Sequence, residues 1–340
     1  MIVDDWIAKK IGLPREEKLS RDSLEKWQLE KLRETVRRVL THSSFYREKI
    51  SADATVYSLD DLERLPLTTP EELAARGSEM VCVPASAVSR IVTLQETSGT
   101  TGAAKRVWFT EADQELMTDY IHNGLRVMTG PGDVFLVLMP CERPGSVGDL
   151  VAQGVERIGS RVIRIGVIPT DGSRDAEILE LMRSEGVTTG LATSSTAVRL
   201  AVRTAADPVI PENMRTILLS AQYISEKDKS IIENMWDCHV YEHYGMTEMG
   251  LGGAMACRAR AGYHPREADL LFEIIDPATG ERLPEGEPGE IVFTTLTRQA
   301  MPLIRYRTGD FSRFIPEPCK CGSVLKRLDK VGDRSERKAY

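Results

Sequence analysis

Apolar residues recur at helical spacing in the first part of the chain. Between residues 22 and 40 they are Leu24, Trp27, Leu32, Val36 and Val39. This spacing predicts an amphipathic helix, and Asp22 with Glu25 three positions later favours a capping box at its start. A second helix is expected to begin at Pro70, because proline suits the first helical turn and acidic residues follow it.

Beyond residue 90, short apolar runs alternate with segments of helical length. The apolar runs are Val134 to Met139, Arg161 to Ile165, Thr216 to Leu219 and His239 to Tyr244. The helical segments include Arg174 to Ser184 and Glu226 to Met235. This alternation predicts a largely parallel sheet covered by helices, which is the α/β fold class.

The pattern changes after Leu270, where residues 271–275 and 290–295 form two apolar runs around a turn at 276–280. A β-rich section is therefore expected to follow the α/β body. We divide the chain into a helical entry region over 1–89, an α/β core over 90–265 and a β-rich subdomain over 266–330.

Composition narrows the functional classes. The chain has 340 residues, of which 41% are hydrophobic, and a formal net charge of -7. An acidic surface repels phosphate backbones, so nucleic acid and acidic membranes are not expected partners. We find no apolar run long enough for a membrane span and no signal peptide, so cytoplasmic location is the default expectation. Six cysteines in such a chain favour reduced thiols or metal ligands.

The segment from Thr97 to Lys105 combines two glycines, four hydroxyl side chains and a lysine. Glycines let backbone N-H groups approach a polyanion, hydroxyls donate to its oxygens and lysine adds a positive charge. A triphosphate is the expected ligand, and a polar turn between strands is the alternative. The spacing of a Walker loop is absent, because Lys105 follows Ala104 and not a glycine.

Three ordered segments carry a family resemblance. They are the loop at Thr97 to Lys105, the run Tyr244-Gly245-Met246-Thr247-Glu248 and the run Tyr306-Arg307-Thr308-Gly309-Asp310. Together they resemble the adenylate-forming superfamily of acyl- and aryl-CoA synthetases. Residues 24–50 and 59–69 are similar to the start of phenylacetate-CoA ligases, and the resemblance covers nearly the whole chain. It implies the large N-terminal domain of that fold.

The resemblance implies a role for each matching residue. The phosphates of ATP would be held by Ser98, Gly99, Thr100, Thr101, Gly102 and Lys105. Tyr244 would stack on adenine, Thr247 would bond the α-phosphate and Glu248 would ligate Mg²⁺. Asp310 would accept both ribose hydroxyls. Taken singly, Tyr244 could be a core aromatic, Glu248 a helix N-terminal acid and Asp310 a turn residue.

Further contacts are implied near the base and the acid. Ser220, Ala221 and Gln222 stand where the family often has Gly-Ala-Glu beside adenine, and His243 and Gly245 flank Tyr244. The acid pocket is expected near Leu138 to Gly148, Ser194-Ser195 and His243 to Gly253. His243 would either meet a polar substituent of the acid or pack beneath the end of the sheet.

A metal site is a separate prediction. Cys257, His264, Cys319 and Cys321 supply three thiols and an imidazole, a set suited to tetrahedral zinc. Some phenylacetate-CoA ligase relatives resemble this chain in carrying a cysteine/histidine zinc site. We expect a structural zinc, and the alternative is buried free thiols with a surface histidine.

The expected activity is adenylation of a small carboxylic acid, with aryl acids favoured and CoA or an acyl carrier as acceptor. Residues 331–340 only loosely resemble the family hinge, and the resemblance implies that the small C-terminal domain with its lysine is not part of the given sequence. Thioester formation is therefore in doubt, and adenylation would be slow or depend on a partner that supplies the lysine. A homodimer or a separate C-terminal-domain protein is the expected protein partner. The competing hypothesis is a nucleotide- or adenylate-binding module without turnover.

Overall fold

A computed structural model describes residues 2–94, 104–206, 212–222 and 224–332. The α-helices are α1 (Ile2–Lys10), α2 (Arg21–His42), α3 (Ser44–Lys49), α4 (Pro70–Arg76), α5 (Glu111–Leu125), α6 (Val147–Glu156), α7 (Asp175–Ser184), α8 (Ser194–Ala206) and α9 (Glu226–Trp236). The strands are β1 (Arg90–Leu94), β2 (Lys105–Phe109), β3 (Val134–Val137), β4 (Arg161–Arg164), β5 (Thr189–Ala192), β6 (Thr216–Leu219), β7 (His239–Tyr244), β8 (Ala254–Ala256), β9 (Tyr263–Pro265), β10 (Leu270–Ile275), β11 (Gly289–Thr295) and β12 (Tyr306–Ser312).

The amphipathic entry helix forms as α2, but its predicted cap is wrong. The helix begins at Arg21, so the N-cap is Ser20, and its partner in the capping box is Ser23. Glu25 lies beyond the first turn and instead pairs with Arg21 at 3.4 Å. The cap falls on Ser20 because a hydroxyl before the first helical residue reaches the amide of the third one. At Pro70 the expected helix α4 is capped by Thr69 and Glu72.

The main sheet has the strand order β4-β3-β5-β6-β7-β8-β9. Strands β3 to β7 run parallel, and β8 and β9 add antiparallel pairs at one end. Alternate residues of β3 and of the position after it enter different cores: Phe135 and Val137 pack in one, Leu136 and Leu138 in the other. A sheet buried on both faces explains why its strands read as continuous apolar runs.

The β-rich section is a three-stranded antiparallel sheet of order β10-β11-β12. Phe293 of β11 lies between Phe272 and Tyr306 in register. The entry region is joined to this sheet through Thr68, whose amide donates to Arg305 and whose carbonyl accepts from Arg307, both at 2.9 Å. The expected α/β fold with a following antiparallel section is confirmed, while our domain boundaries stay predictions.

Strand order also fixes where a ligand site can form. β4 and β5 lie on opposite sides of β3, so the chain changes direction across the sheet at this point. In open parallel sheets, the crevice at the carboxyl ends of the strands beside such a switch is the usual ligand site. None of the described helices combines the length and hydropathy required to cross a bilayer.

Candidate active site

Strand β7 delivers the second sequence motif to the carboxyl edge of the sheet. After Tyr244 the chain turns so tightly that a Cβ on Gly245 would lie 1.7 Å from the carbonyl oxygen of Leu251. A short 3-10 helix, Thr247–Met249, follows and ends at Gly250, whose φ is 82°. At position 245 only glycine fits, because any side chain would overlap the carbonyl of Leu251. At position 250 only glycine adopts the left-handed conformation without strain. These glycines therefore fix the turn that carries Thr247 and Glu248.

Glu248 is the most constrained carboxylate of this turn. Its side chain is 2% exposed, and Nζ of Lys105 lies 2.8 Å from its Oε1. The hydroxyl of Tyr306 donates to the same oxygen at 3.1 Å. Among the described residues no donor reaches Oε2. Two donors thus hold the carboxylate through one oxygen and leave the other for a ligand.

Tyr306 contacts the candidate metal carboxylate, and the sequence analysis gave it no role. It lies in the third motif, so its position carried a signal, but no role followed from the pattern. Two further residues, Arg266 and Arg298, donate to the main-chain carbonyls of Met249 and Glu248, each at 2.6 Å. Nothing in the sequence pattern indicated these two contacts, because they join residues 17 and 50 positions apart, beyond the range of local periodicity.

Tyr244 and Asp310 are brought together by β7 and β12. The tyrosine hydroxyl donates to Oδ2 of Asp310 at 3.0 Å. Asp310 is fixed from its own strand as well, because its amide donates to Oγ1 of Thr308 at 3.0 Å. Since β12 also carries Tyr306, one strand connects the Tyr244 pair with the Glu248 group. Residues of the second and third motifs therefore meet, although their strands belong to different sheets.

The segment after β6 forms a polar group with β7. Ser220 is buried, and its Oγ lies 2.6 Å from Nε2 of the half-buried His243. Burial lowers the pKa of His243 to about 4, so the imidazole is neutral near pH 7. Oε1 of the exposed Gln222 accepts from the amide of Ser195 at 3.1 Å. Between them Ala221 adopts a left-handed conformation with φ 66°.

Part of the predicted nucleotide site lies outside the described residues. This applies to Ser98, Gly99, Thr100, Thr101 and Gly102. Lys105 is the first residue of β2, and its ammonium contacts Glu248. The loop thus leads directly into a strand whose first side chain reaches the candidate metal carboxylate.

The four predicted zinc ligands converge. Their ligand atoms all lie within 4.8 Å of one another, although the residues come from β9, from the turn after β8 and from the segment after β12. The Sγ atoms of Cys257 and Cys319 are 3.6 Å apart, and Sγ of Cys321 is 3.3 Å from Nε2 of His264. Tetrahedral zinc with bonds of about 2.3 Å to sulfur places two thiolates about 3.8 Å apart.

Cys257 and His264 of this cluster favour their charged forms through their mutual contact, whereas burial raises the pKa of Cys321. Burial opposes ionisation of Cys257, but hydrogen bonds with His264 and with the backbone of Ala259 lower the pKa of its thiol to about 6. Nδ1 of His264 lies 3.0 Å from the carbonyl oxygen of Lys326. A proton on Nδ1 donated to this carbonyl leaves Nε2 as the ligand atom facing the thiols. The side chains present therefore fit a four-coordinate zinc.

Comparison with known proteins adds independent findings. The family described as AMP-binding enzyme matches residues 25–297. Phenylacetate-coenzyme A ligase of Pseudomonas putida is 30% identical over 331 residues, which cover 94% of this chain and 72% of that protein. The ligase of the same name from Aromatoleum evansii is 31% identical over 332 residues, with the same coverage of both chains.

Solved structures show the same fold. The structure of 2-hydroxyisobutyryl-CoA ligase in complex with 2-HIB-AMP and CoA aligns with a TM-score of 0.84 at 23% identity. The alignment covers 94% of this chain and 70% of that one. An open conformation of that ligase, in complex with the same two ligands, aligns with a TM-score of 0.81.

Proposed function

Because this chain belongs to the AMP-binding enzyme family and is a phenylacetate-CoA ligase-like member of the acid-CoA ligases, we propose that it activates a carboxylic acid with ATP and Mg²⁺. The product is the acyl-adenylate of an aryl acid of the phenylacetate type. CoA is the proposed acceptor of the acyl group, as in the names of the relatives.

The observation that carries the proposal is that both hydrogen bonds to the carboxylate of Glu248 reach the same oxygen. Lys105 and Tyr306 both bind Oε1, so among the described residues Oε2 is left without a donor, and a carboxylate oxygen is a suitable ligand for a hard cation. A bound Mg²⁺ would neutralise charge on the phosphate oxygens. The buried position of Glu248 keeps its carboxylate fixed before the nucleotide arrives, which lowers the cost of organising the site.

The reaction requires that the protein align the acid with the α-phosphorus and stabilise charge, and it requires no covalent intermediate with the protein. A carboxylate oxygen of the acid attacks the α-phosphorus, the bond from that phosphorus to the bridging oxygen breaks, and pyrophosphate leaves. In our proposal Lys105 and Thr247 stabilise negative charge on the phosphate oxygens. Tyr244 and Asp310, joined by their hydrogen bond, hold the nucleoside. No residue of this chain is needed as a nucleophile.

The acid is proposed to bind where the sheet changes direction. The segments after β3 and β5 leave the sheet on either side of this switch, and they contain the expected pocket residues between Leu138 and Gly148 and at Ser194-Ser195. His243 and Ser220 lie at the carboxyl ends of the next strands. This placement supports an acid whose carboxylate points toward β7 and whose ring lies toward β3.

Exchange of labelled pyrophosphate into ATP tests the proposal. Phenylacetate and a panel of aryl and fatty acids should be tested with Mg²⁺, and exchange is expected only with an accepted acid. Glu248→Gln should abolish it. A matched control is Glu242→Gln, because Glu242 is also a buried glutamate that pairs with a lysine, Lys229, at 3.2 Å.

Each outcome separates the hypotheses. ATP binding without exchange for any acid would replace the enzyme with a nucleotide-binding module. Full exchange in Glu248→Gln would remove Glu248 from metal binding. Formation of a CoA thioester from the same acids would establish the second half-reaction.

We also propose a structural zinc held by Cys257, His264, Cys319 and Cys321. Four protein ligands leave no open coordination position, so the ion would stabilise structure and not activate substrate. It would tie the segment after β12 to the antiparallel strands β8 and β9, which extend directly from the turn that carries Glu248. The convergence of four ligand atoms from separate segments supports this proposal.

Metal analysis of protein purified without chelator should find about one zinc per chain. Cys319→Ala is expected to lose the zinc and to lower the melting temperature clearly. Cys238→Ala is the matched control, because Cys238 is a buried thiol outside the cluster. Absence of zinc in the wild-type protein, or equal effects of the two substitutions, would contradict the proposal.

A further inference from the structure

Two arginines bind consecutive carbonyls of the turn that carries Glu248. Nη1 of Arg298 donates to the carbonyl oxygen of Glu248 itself, and Nη2 of Arg266 donates to that of Met249, both at 2.6 Å. Both arginines are buried, with 7% and 4% of their surface exposed. The end of the 3-10 helix is therefore held from the core by two guanidinium groups, which we name the arginine clamp.

Gly250 lies between the two guanidinium groups. A Cβ at this position would be 2.9 Å from Nη2 of Arg298 and 3.1 Å from Nη2 of Arg266. Its φ of 82° also disfavours any side chain. The close approach of both arginines thus depends on the glycine that ends the turn.

Separate elements hold each arginine in place. The carboxylate of Asp113, in the first turn of α5, accepts from the amides of Gln299 and Ala300 and so fixes the residues after Arg298. The guanidinium of Arg298 lies 5.0 Å from the ring centre of Phe109. That of Arg266 lies 5.2 Å from the ring of Tyr120. Aromatic faces attract cations at these distances.

The arrangement is a costly way to stabilise a turn. Burial lowers the pKa of Arg298 to about 10, since the charged form is desolvated and Arg266 is close. Nε and Nη1 of Arg266 have no acceptor among the described residues. Asp113 and Glu248 beside Arg298, and Asp269 beside Arg266, offset part of this cost. Replacing a buried ion pair with well-packed apolar groups is often neutral or stabilising, so stability alone does not account for two buried guanidinium groups at this turn.

We propose that Arg266 and Arg298 are positioning residues that fix the backbone of Glu248 and thereby the direction of its carboxylate. The inference rests on the proposed function, in which Oε2 of Glu248 binds the magnesium of the nucleotide. Lys105 and Tyr306 orient the carboxylate from the side-chain end, while the arginine clamp holds the same residue from the main-chain end. Metal affinity should therefore depend on residues that never touch the metal.

The test measures how Mg²⁺ changes ATP binding, which needs no knowledge of the acid. Calorimetric titrations of ATP are made in EDTA and over a series of Mg²⁺ concentrations for wild type, Arg298→Met, Arg298→Lys and Arg266→Met. Arg298→Met is expected to raise the half-saturating Mg²⁺ concentration about 10-fold or more and to leave ATP affinity in EDTA unchanged. Arg298→Lys retains a donor and should recover part of the effect.

Arg199→Met is the matched control. Arg199 also donates to two consecutive carbonyls, those of Pro169 and Thr170, but on α8. It should keep the wild-type dependence on Mg²⁺. If Arg298→Met fails to fold, Arg298→Lys and Arg266→Met give the same comparison.

The outcomes distinguish this inference from the proposed function. A wild-type Mg²⁺ dependence in both Arg298→Met and Arg266→Met, together with loss of that dependence in Glu248→Gln, would overturn the arginine clamp alone. Retention of the dependence in Glu248→Gln would instead overturn the metal role of Glu248. If the arginine variants lose the same factor of ATP affinity in EDTA and in Mg²⁺, the arginines have a general structural role, and this result would overturn the inference.

Discussion

The ammonium of Lys105 lies 2.8 Å from Oε1 of Glu248, so the first residue of β2 and the turn after β7 are joined by an ion pair. The lysine side chain is 20% exposed and the glutamate 2%. The pair therefore joins a partly solvated cation to a buried anion. The strand that follows the glycine-rich loop is thus fixed relative to the candidate metal ligand by electrostatic attraction.

Lys105→Met is expected to leave the buried carboxylate of Glu248 with the Tyr306 hydroxyl but without its ammonium partner, and to lower the free energy of unfolding by about 1 to 3 kcal/mol. The double variant with Lys105→Met and Glu248→Gln should lose less free energy of unfolding than the two single variants lose together, because either change alone already removes the interaction between the two side chains. Urea unfolding of the four proteins in this cycle measures the coupling. Strict additivity would show that the two side chains do not interact in solution.

Asp310 is expected to distinguish ribose from deoxyribose. Wild type should bind ATP more tightly than 2′-deoxy-ATP, and Asp310→Ala should bind the two nucleotides equally. Tyr244→Phe removes the hydrogen bond to Oδ2 and should weaken ATP binding by about 1 kcal/mol. Tyr241→Phe, on the same strand, is the control. Undiminished discrimination in Asp310→Ala would exclude the ribose contact.

His243 should make stability depend on pH in the acid range. Its pKa is lowered to about 4 in the folded protein, while an unfolded histidine titrates near about 6.5. The unfolded chain therefore binds more protons between these values. The contribution of His243 is complete above about pH 6.5 and falls by at most roughly 1.4 kcal/mol per unit as the pH drops toward 4.

The difference between wild type and His243→Gln isolates this contribution, since other groups titrate in both proteins. Urea unfolding at pH 7 and pH 5 should show a larger loss of stability for wild type. If wild type and His243→Gln lose the same free energy of unfolding between pH 7 and pH 5, His243 is not held as a buried neutral imidazole.

Gly245→Ala is expected to destabilise the protein by about 3 kcal/mol or more, because the added methyl group overlaps the carbonyl of Leu251. Gly130→Ala is the matched control, since a Cβ there meets nothing within 4 Å. It should change stability by less than about 1 kcal/mol. Chemical denaturation of both variants checks this, and a mild effect of Gly245→Ala would mean that the turn can relax.

Local patterns predicted four strands and two helices of the α/β body. The runs of β3 and β6 are apolar and largely buried, because burial on both faces of the sheet leaves a continuous apolar signal. β4 and β7 mix apolar with polar residues, and they were predicted with helices α7 and α9 from the alternation of short strand-like runs and helix-length segments. β5 was missed, since Thr189–Ala192 contains a threonine and a glycine and lacks the bulk of its neighbours. The capping box at α2 was placed at the wrong residues, because apolar spacing locates the ends of a helix poorly.

By itself the sequence determined the fold class, the order of the three motifs and the residue types from which a site could form. Only the tertiary structure decided which atoms meet: Lys105 and Tyr306 on one oxygen of Glu248, Tyr244 on Asp310, and two arginines on the carbonyls behind that glutamate. The physical reason is range. Periodicity and capping act over a few residues, whereas these contacts join residues up to 143 positions apart, through the packing of strands that no local pattern specifies.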